Sequence, residues 1–155
     1  MDEILLVSRL DVTEQLDIRE DVDLAALAAE ECARYDDCGV EAKPVTVRGD
    51  PALLRRMIRN LVENAKLHGK PPIEVTVGRQ DDRAVLSVLD HGPLIVEEAR
   101  ERLFSPFYRI PDRSGGKGIG LGLALVRQIA RRHGGDVAYN SERGSSFTVT
   151  LPIGS

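Results

Sequence analysis

The sequence predicts an α/β domain whose sheet is mixed but largely antiparallel. Two periodicities point there. Apolar residues recur at helical spacing over residues 51–68 and 119–133, and in alternation over residues 73–89 and near the C-terminus. Several of the alternating runs are joined by tight turns, which pair strands antiparallel. The chain's 155 residues are one domain's length. A chain of that size buries about 70% of its unfolded surface and needs neither disulfide nor metal to hold a core.

Taken in order, residues 1–10 (MDEILLVSRL) resemble the tail of a helix, with Leu5, Leu6 and Leu10 at helical spacing. A short strand is expected near residues 15–22. Residues 23–35 are Ala-rich, with Asp23 as N-cap. Residues 39–48 alternate toward a strand, and Pro44 marks an edge or bulge. Asp50 is placed to cap the next helix, and Pro51 takes its first position, where a missing N–H is harmless. Leu53, Leu54, Met57, Ile58, Leu61, Val62 and Ala65 form its stripe, and Gly69 and Pro71 stop it. Residues 73–90 read as a hairpin turning at residues 80–82. A short helix over 97–103, a loop over 104–118 and a helix over 119–133 follow. Gly134-Gly135 end that helix, and strands at 136–140 and 146–151 close the chain.

Composition narrows the function classes. Hydrophobic residues are 42% and charged residues 30%, which excludes a disordered chain. No run of about 18 apolar residues predicts a membrane span, and the acidic N-terminus lacks a signal peptide's basic start. Cys32 and Cys38 are not spaced as a metal or redox pair and read as reduced thiols of a cytosolic protein. Residues 1–50 hold 14 acids and 5 bases, whereas residues 51–155 hold 11 acids and 16 bases. The basic portion suits an anionic ligand. Nucleic acid is disfavoured by the net charge of −4 and the lack of a basic stripe with stacking aromatics.

Glycine and aromatics cluster. Seven of the fourteen glycines and three of the six aromatics fall within residues 104–135. Gly116-Lys117-Gly118 fails as a phosphate loop, since Pro111 stands at the first glycine position and Gly118 at the Ser/Thr position. A dinucleotide fingerprint fails as well, for want of a preceding strand. What remains is a loop entering a helix through Gly118, Gly120 and Gly122, whose bare amides and helix dipole suit an anion. Asn60 and Asn64 lie four apart on one helix face, with His68 a turn further and Lys66 nearby. Carboxamide oxygens suit a hard cation that keeps waters. Asp90-His91-Gly92 ends an apolar strand with a carboxylate that could accept from an amine. Phe104-x-x-Phe107-Tyr108-Arg109 places a cation just after an aromatic hinge. Each pattern alone also fits ordinary structure: a tight helix start, a polar helix edge, a turn, a loop anchor.

Their order and spacing together resemble the GHKL ATPase superfamily. Asn60-Leu-Val-Glu63-Asn64-Ala65 resembles its N box and Asp90-His-Gly92-Pro93 its G1 box. Leu103-Phe104-x-x-Phe107-Tyr108-Arg109 resembles its F box, and Gly118-Ile-Gly120-Leu-Gly122-Leu-Ala-Leu-Val its G2 box. The F box and the two asparagines are similar to those of sensor histidine kinases. The resemblance implies a Bergerat fold, a two-layer α/β sandwich with a mixed, mostly antiparallel sheet on three helices. It implies residues 1–14 as the tail of a dimerisation and phosphoacceptor helix or a linker, and 15–153 as the ATP-binding catalytic domain with a lid near 105–118.

The resemblance also implies ATP and Mg²⁺ as cofactors. Asn64 would hold the metal, and Asn60 would support metal and phosphates. Asp90 would read adenine N6, Gly92 would permit the approach, and Leu94 and Ile95 would border the base with His68. Lys66 would contact phosphate. Arg109 would point at the γ-phosphate, and Lys117, Gly118, Ile119, Gly120, Leu121, Gly122 and Leu123 would cradle the phosphates. Catalytic weight would rest on Asn60 and Arg109. Phosphotransfer would go to a histidine on the parent protein's own phosphoacceptor domain, with a response regulator downstream. The fragment would be monomeric, the parent homodimeric and the location cytoplasmic.

Three departures stand out. Leu94 replaces a second G1 glycine, and a positive φ there would cost about 1–2 kcal/mol. Lys66 is one residue early. Ile119 replaces a small polar residue. A degenerate regulatory domain, its pocket blocked by Leu94, is therefore the alternative. A serine kinase sharing the fold is a third reading, which residues 1–10 disfavour.

Overall fold

The structure is a computed structural model and describes residues 18–106 and 122–153. In chain order its elements are β1 (Glu20–Asp23), α1 (Leu24–Cys32), β2 (Cys38–Ala42), β3 (Thr46–Gly49), α2 (Pro51–His68) and β4 (Ile73–Gln80). There follow β5 (Arg83–Asp90), α3 (Glu97–Arg100), α4 (Gly122–Arg132), β6 (Asp136–Asn140) and β7 (Ser145–Pro152). Five strands form one sheet in the order β2-β4-β5-β7-β6, with β1 and β3 a separate antiparallel pair. Only β2–β4 is parallel; the other three pairings are antiparallel, as expected.

Alternation in the strands decides where the core lies. Ile73, Val75 and Val77 of β4, Ala84, Leu86 and Val88 of β5, and Phe147, Val149 and Leu151 of β7 are buried on one face. Against them lie the stripe of α2 and Leu123, Leu125, Val126 and Ile129 of α4. Leu24, Leu27 and Ala28 of α1 complete the core. Each such large side chain contributes about 1.5–3 kcal/mol by leaving water. The result is a two-layer α/β sandwich. The same alternation has a consequence at the end of β5: Asp90 continues the buried row 84, 86, 88, so its carboxyl points under the helices.

The helix ends follow their signals. Asp50 Oδ1 accepts from the Ala52 and Leu53 amides at 2.9 and 3.3 Å, and Pro51 sits in the first turn. Asp23 Oδ1 accepts from Ala26 N–H at 3.1 Å. Such a cap stabilises by about 1 kcal/mol. Gly134 ends α4 at φ +84°, a conformation that favours glycine. Between α1 and α2, buried Glu31 receives hydrogen bonds from Arg34, Arg55 and Arg59. Burial raises the Glu31 carboxyl, but the Arg59 and Arg55 bonds outweigh it and leave the group below its ordinary value.

Four expectations are corrected. Residues 39–48 form two strands rather than one: Lys43 N–H donates to Val77 O, Pro44 can donate nothing, and Val45 O receives Leu24 N–H as the chain leaves the large sheet. The short helix ends at Arg100 and gives way to turns. Residues 18 and 19 are not strand and β1 runs Glu20–Asp23, while residues 15–17 of the expected strand lie outside the described residues. Cys32 and Cys38 are not free thiols but a disulfide, with Cα atoms 5.4 Å apart, because the turn after α1 reverses the chain onto β2.

Candidate functional site

Helix α2 lays out the site. Asn60 and Asn64 face the same way from successive turns. Asn60 is 6% exposed, and its Nδ2 donates to the Gly122 carbonyl at 3.4 Å, tying α2 to the first residue of α4. Asn64 Nδ2 is buried and has no hydrogen-bond partner among the described residues. A Cβ on Gly122, the residue that Asn60 holds, would meet nothing within 4 Å among the described residues. Leu123 is the next residue, and its side chain joins the core. Carboxamides and an open helix start thus sit together.

The other end of the site lies where α2 stops. Asp90 is 1% exposed, and its Oδ1 accepts the Gly92 amide at 2.7 Å. A Cβ on Gly92 would lie 2.7 Å from Gly69 Cα, so the two backbones touch. His91 N–H donates to Lys70 O at 2.9 Å, and its ring pairs with Glu74 at 2.9 Å. His68, half-buried, is the last residue of α2. Ile95 is buried with its N–H donated to Tyr139 Oη at 3.0 Å, and that hydroxyl donates to Ser145 Oγ at 3.1 Å. Phe104 packs edge-on against Phe147 with centroids 6.0 Å apart, anchoring the chain that leads into residue 106.

One predicted site residue is engaged elsewhere, and a second lacks the strain expected of it. Lys66 Nζ is held by both Asp37 carboxylate oxygens at 2.7 Å and lies over the Tyr35 ring. Two residues past Asn64, it has turned some 200° around the helix and is not brought into the cluster. Leu94 does not adopt a positive φ; Asp81 is the sole non-glycine residue that does among those described. Its side chain is half exposed. The strain expected at that position is therefore absent. Arg109, Lys117, Gly118, Ile119, Gly120 and Leu121 lie outside the described residues. Gly69, by contrast, was expected only to stop a helix, yet its bare Cα admits the Asp90 carboxyl and packs on Gly92. Its one sequence signal was position, directly after His68.

A divalent cation and a triphosphate fit this donor set. Among the described residues no group of three His, Cys, Asp or Glu could hold a metal ion. A cation beside Asn64 would draw its other ligands from phosphate and water, as magnesium does. No described helix is long and apolar enough to cross a membrane.

These features define a nucleotide-binding α/β sandwich, with carboxamides on the C-terminal half of a helix and a buried carboxylate where that helix stops. Residues 49–155 match the histidine kinase-, DNA gyrase B-, and HSP90-like ATPases, and the chain belongs to that family. It is 38% identical to the sensor histidine kinase TrcS of Mycobacterium tuberculosis, covering 99% of this chain and 33% of TrcS. The mycobacterial sensor histidine kinase MprB superposes with a TM-score of 0.72 at 29% identity, over 88% of this chain and 98% of MprB. The ATP binding domain of PrrB from Mycobacterium tuberculosis gives 0.71 at 28% identity, over 90% of this chain and 100% of that domain. The chain spans 33 to 39% of the length of the curated relatives TrcS and CutS of Streptomyces coelicolor.

Proposed function

We propose that this chain is the ATP-binding catalytic part of a sensor histidine kinase, which binds Mg²⁺-ATP and delivers the γ-phosphoryl group to a histidine on a separate phosphoacceptor domain. The observation that carries the reading is helix α2: it presents Asn60 and Asn64 and then ends against Asp90. Phosphate-side and base-side groups are thereby fixed on one rigid element, about 13 Å apart from Asn60 to Gly69. The kinase relatives support the same reading.

Bound Mg²⁺-ATP supplies the transferable phosphoryl group and the charge that offsets it. The protein's part is placement. Asn64 offers its amide oxygen to the metal, and Asn60 holds the start of α4 near the phosphates through Gly122. Asp90 accepts from the adenine amino group, and Gly92 lets the base approach. Ile95, locked by Tyr139, and Leu94 and His68 border the base. Arg109 and the backbone from Lys117 to Leu123 serve the phosphates. A homodimeric parent, a response regulator downstream and a cytoplasmic location complete the proposal. The absence of strain at Leu94 removes one of the two grounds for a degenerate domain; whether its side chain obstructs the pocket is decided by Leu94→Gly.

Asn64→Ala tests it. Phosphotransfer to a supplied phosphoacceptor domain should fall about 10²- to 10³-fold. The thermal midpoint should hold, because the amide nitrogen has no protein partner among the described residues to lose. Retained activity would remove Asn64 from the metal site, and failure of the unaltered chain to bind Mg²⁺-ATP would overturn the whole reading.

A further inference from the structure

Gly69 is a glycine without a conformational reason. Its φ is −103° and its ψ −154°, extended backbone outside the left-handed region that calls for glycine. Its N–H closes α2 on Ala65 O at 3.0 Å, a bond that any non-proline residue would make. What glycine supplies here is room. A Cβ built at 69 would overlap the Asp90 carboxyl carbon and Oδ1 and lie 2.6 Å from Oδ2. The obstacle is not the far end of a long, pliable side chain. Asp90 is a short residue buried at the end of β5, with Oδ1 held by Gly92 N–H. Gly92 is pressed against Gly69 in turn, and His91 N–H on Lys70 O fixes that contact from the other side. Displacing the carboxylate would strain its bond from Gly92 N–H.

We infer that Gly69 is a positioning residue for base recognition: its missing side chain seats the Asp90 carboxylate at the angle from which it reads the purine's amino group. This rests on the nucleotide reading above and deepens it. Gly69 touches no substrate itself. It acts through Asp90, so its effect should appear in discrimination between bases rather than in phosphate or metal binding. Adenine offers an amino hydrogen at the edge where guanine offers a carbonyl oxygen, and a tilted carboxylate would lose that distinction.

The test is a double-substitution cycle with Gly69→Ala and Asp90→Ala, read by titration with Mg²⁺-ATP and Mg²⁺-GTP and by thermal unfolding. Gly69→Ala should weaken ATP about 10- to 100-fold, the loss of one charge-assisted hydrogen bond. It should leave GTP nearly unchanged, so the ATP/GTP ratio collapses. In the Asp90→Ala background, where no carboxylate remains to displace, Gly69→Ala should leave affinity unchanged and should not lower the midpoint. Should Gly69→Ala alone fail to fold, recovery of the fold in the double variant would report the same collision. Equal weakening of ATP and GTP, an unchanged ATP affinity, or equal damage with and without Asp90 would each overturn the inference. If the unaltered chain binds neither nucleotide, the proposed function fails. The inference about base reading falls with it, while the midpoints still report whether residues 69 and 90 collide.

Discussion

The two ends of helix α2 are built alike and finished differently. At its start, Gly49 makes room for a buried histidine: a Cβ there would overlap His133 Cδ2 and lie 2.5 Å from Nε2. At its end, Gly69 makes room for a buried aspartate. The N-terminal niche is closed on itself. His133 Nδ1–H donates to Ile129 O at 2.7 Å, and Nε2 accepts the Asp50 N–H at 3.1 Å, so both ring nitrogens are satisfied. The C-terminal half instead carries a buried amide nitrogen at Asn64 with no partner among the described residues. Buried polar groups left unmatched are costly, so their position is informative. One end of the helix joins α4 to β3; the other, under the proposed function, receives the nucleotide.

The largest expected effect that separates the two niches is Gly49→Ala. Forcing a methyl against His133 and Leu54 should destabilise the fold by about 1–3 kcal/mol, measured by urea unfolding. Nucleotide affinity of the folded fraction should stay unchanged, opposite to Asn64→Ala. A variant that lost ATP binding while keeping its stability would break the division between the ends.

A smaller effect comes from pH. Burial holds the His133 imidazole below its ordinary value, outweighing the Ile129 carbonyl and the Asp50 charge, which pull it up. The folded state therefore binds fewer protons than the unfolded one at this site. Its stabilisation is complete above about pH 6.5 and is lost as pH falls from there toward the lowered folded value. The slope is bounded by one proton, about 1.4 kcal/mol per pH unit. Protonation would also set an N–H against the Asp50 N–H. His133→Gln should abolish this slope and keep the more acidic one from Glu31, whose lowered carboxyl loses its stabilisation as pH falls below the ordinary 4.5. A slope near pH 6 that survived His133→Gln would assign it elsewhere.

What could be read from sequence was local. The caps at Asp23 and Asp50, the i,i+4 asparagines and the alternation that buries Asp90 all act within a few residues, so the fold class and the outline of the site were legible. The Lys66–Asp37 pair was invisible because Asp37 is 29 residues away. Cys32 and Cys38 were misjudged because a turn brings them together, not their spacing. Gly69 and Gly49 were invisible as steric niches because the side chains they admit come from positions 90 and 133. A glycine's conformational role can be guessed from its neighbours; a glycine's spatial role belongs to whatever packs on it.

Leu94 is the smallest and sharpest case. From sequence, a leucine in place of a glycine predicted strain and a blocked pocket. In the structure it has a negative φ and a half-exposed side chain, so glycine would relieve nothing. Leu94→Gly should instead destabilise by about 0.5–1 kcal/mol, through the greater freedom glycine gives the unfolded chain. That corresponds to a midpoint lower by about 1–4 °C for a chain of this length. ATP affinity should stay within about threefold of the unaltered chain, because neither the seat of Asp90 nor the Gly69–Gly92 contact depends on residue 94. A tenfold gain in affinity would mean that the isobutyl group does obstruct the base. It would then be Leu94, not the glycine niche, that sets how well the C-terminal end of α2 receives a nucleotide.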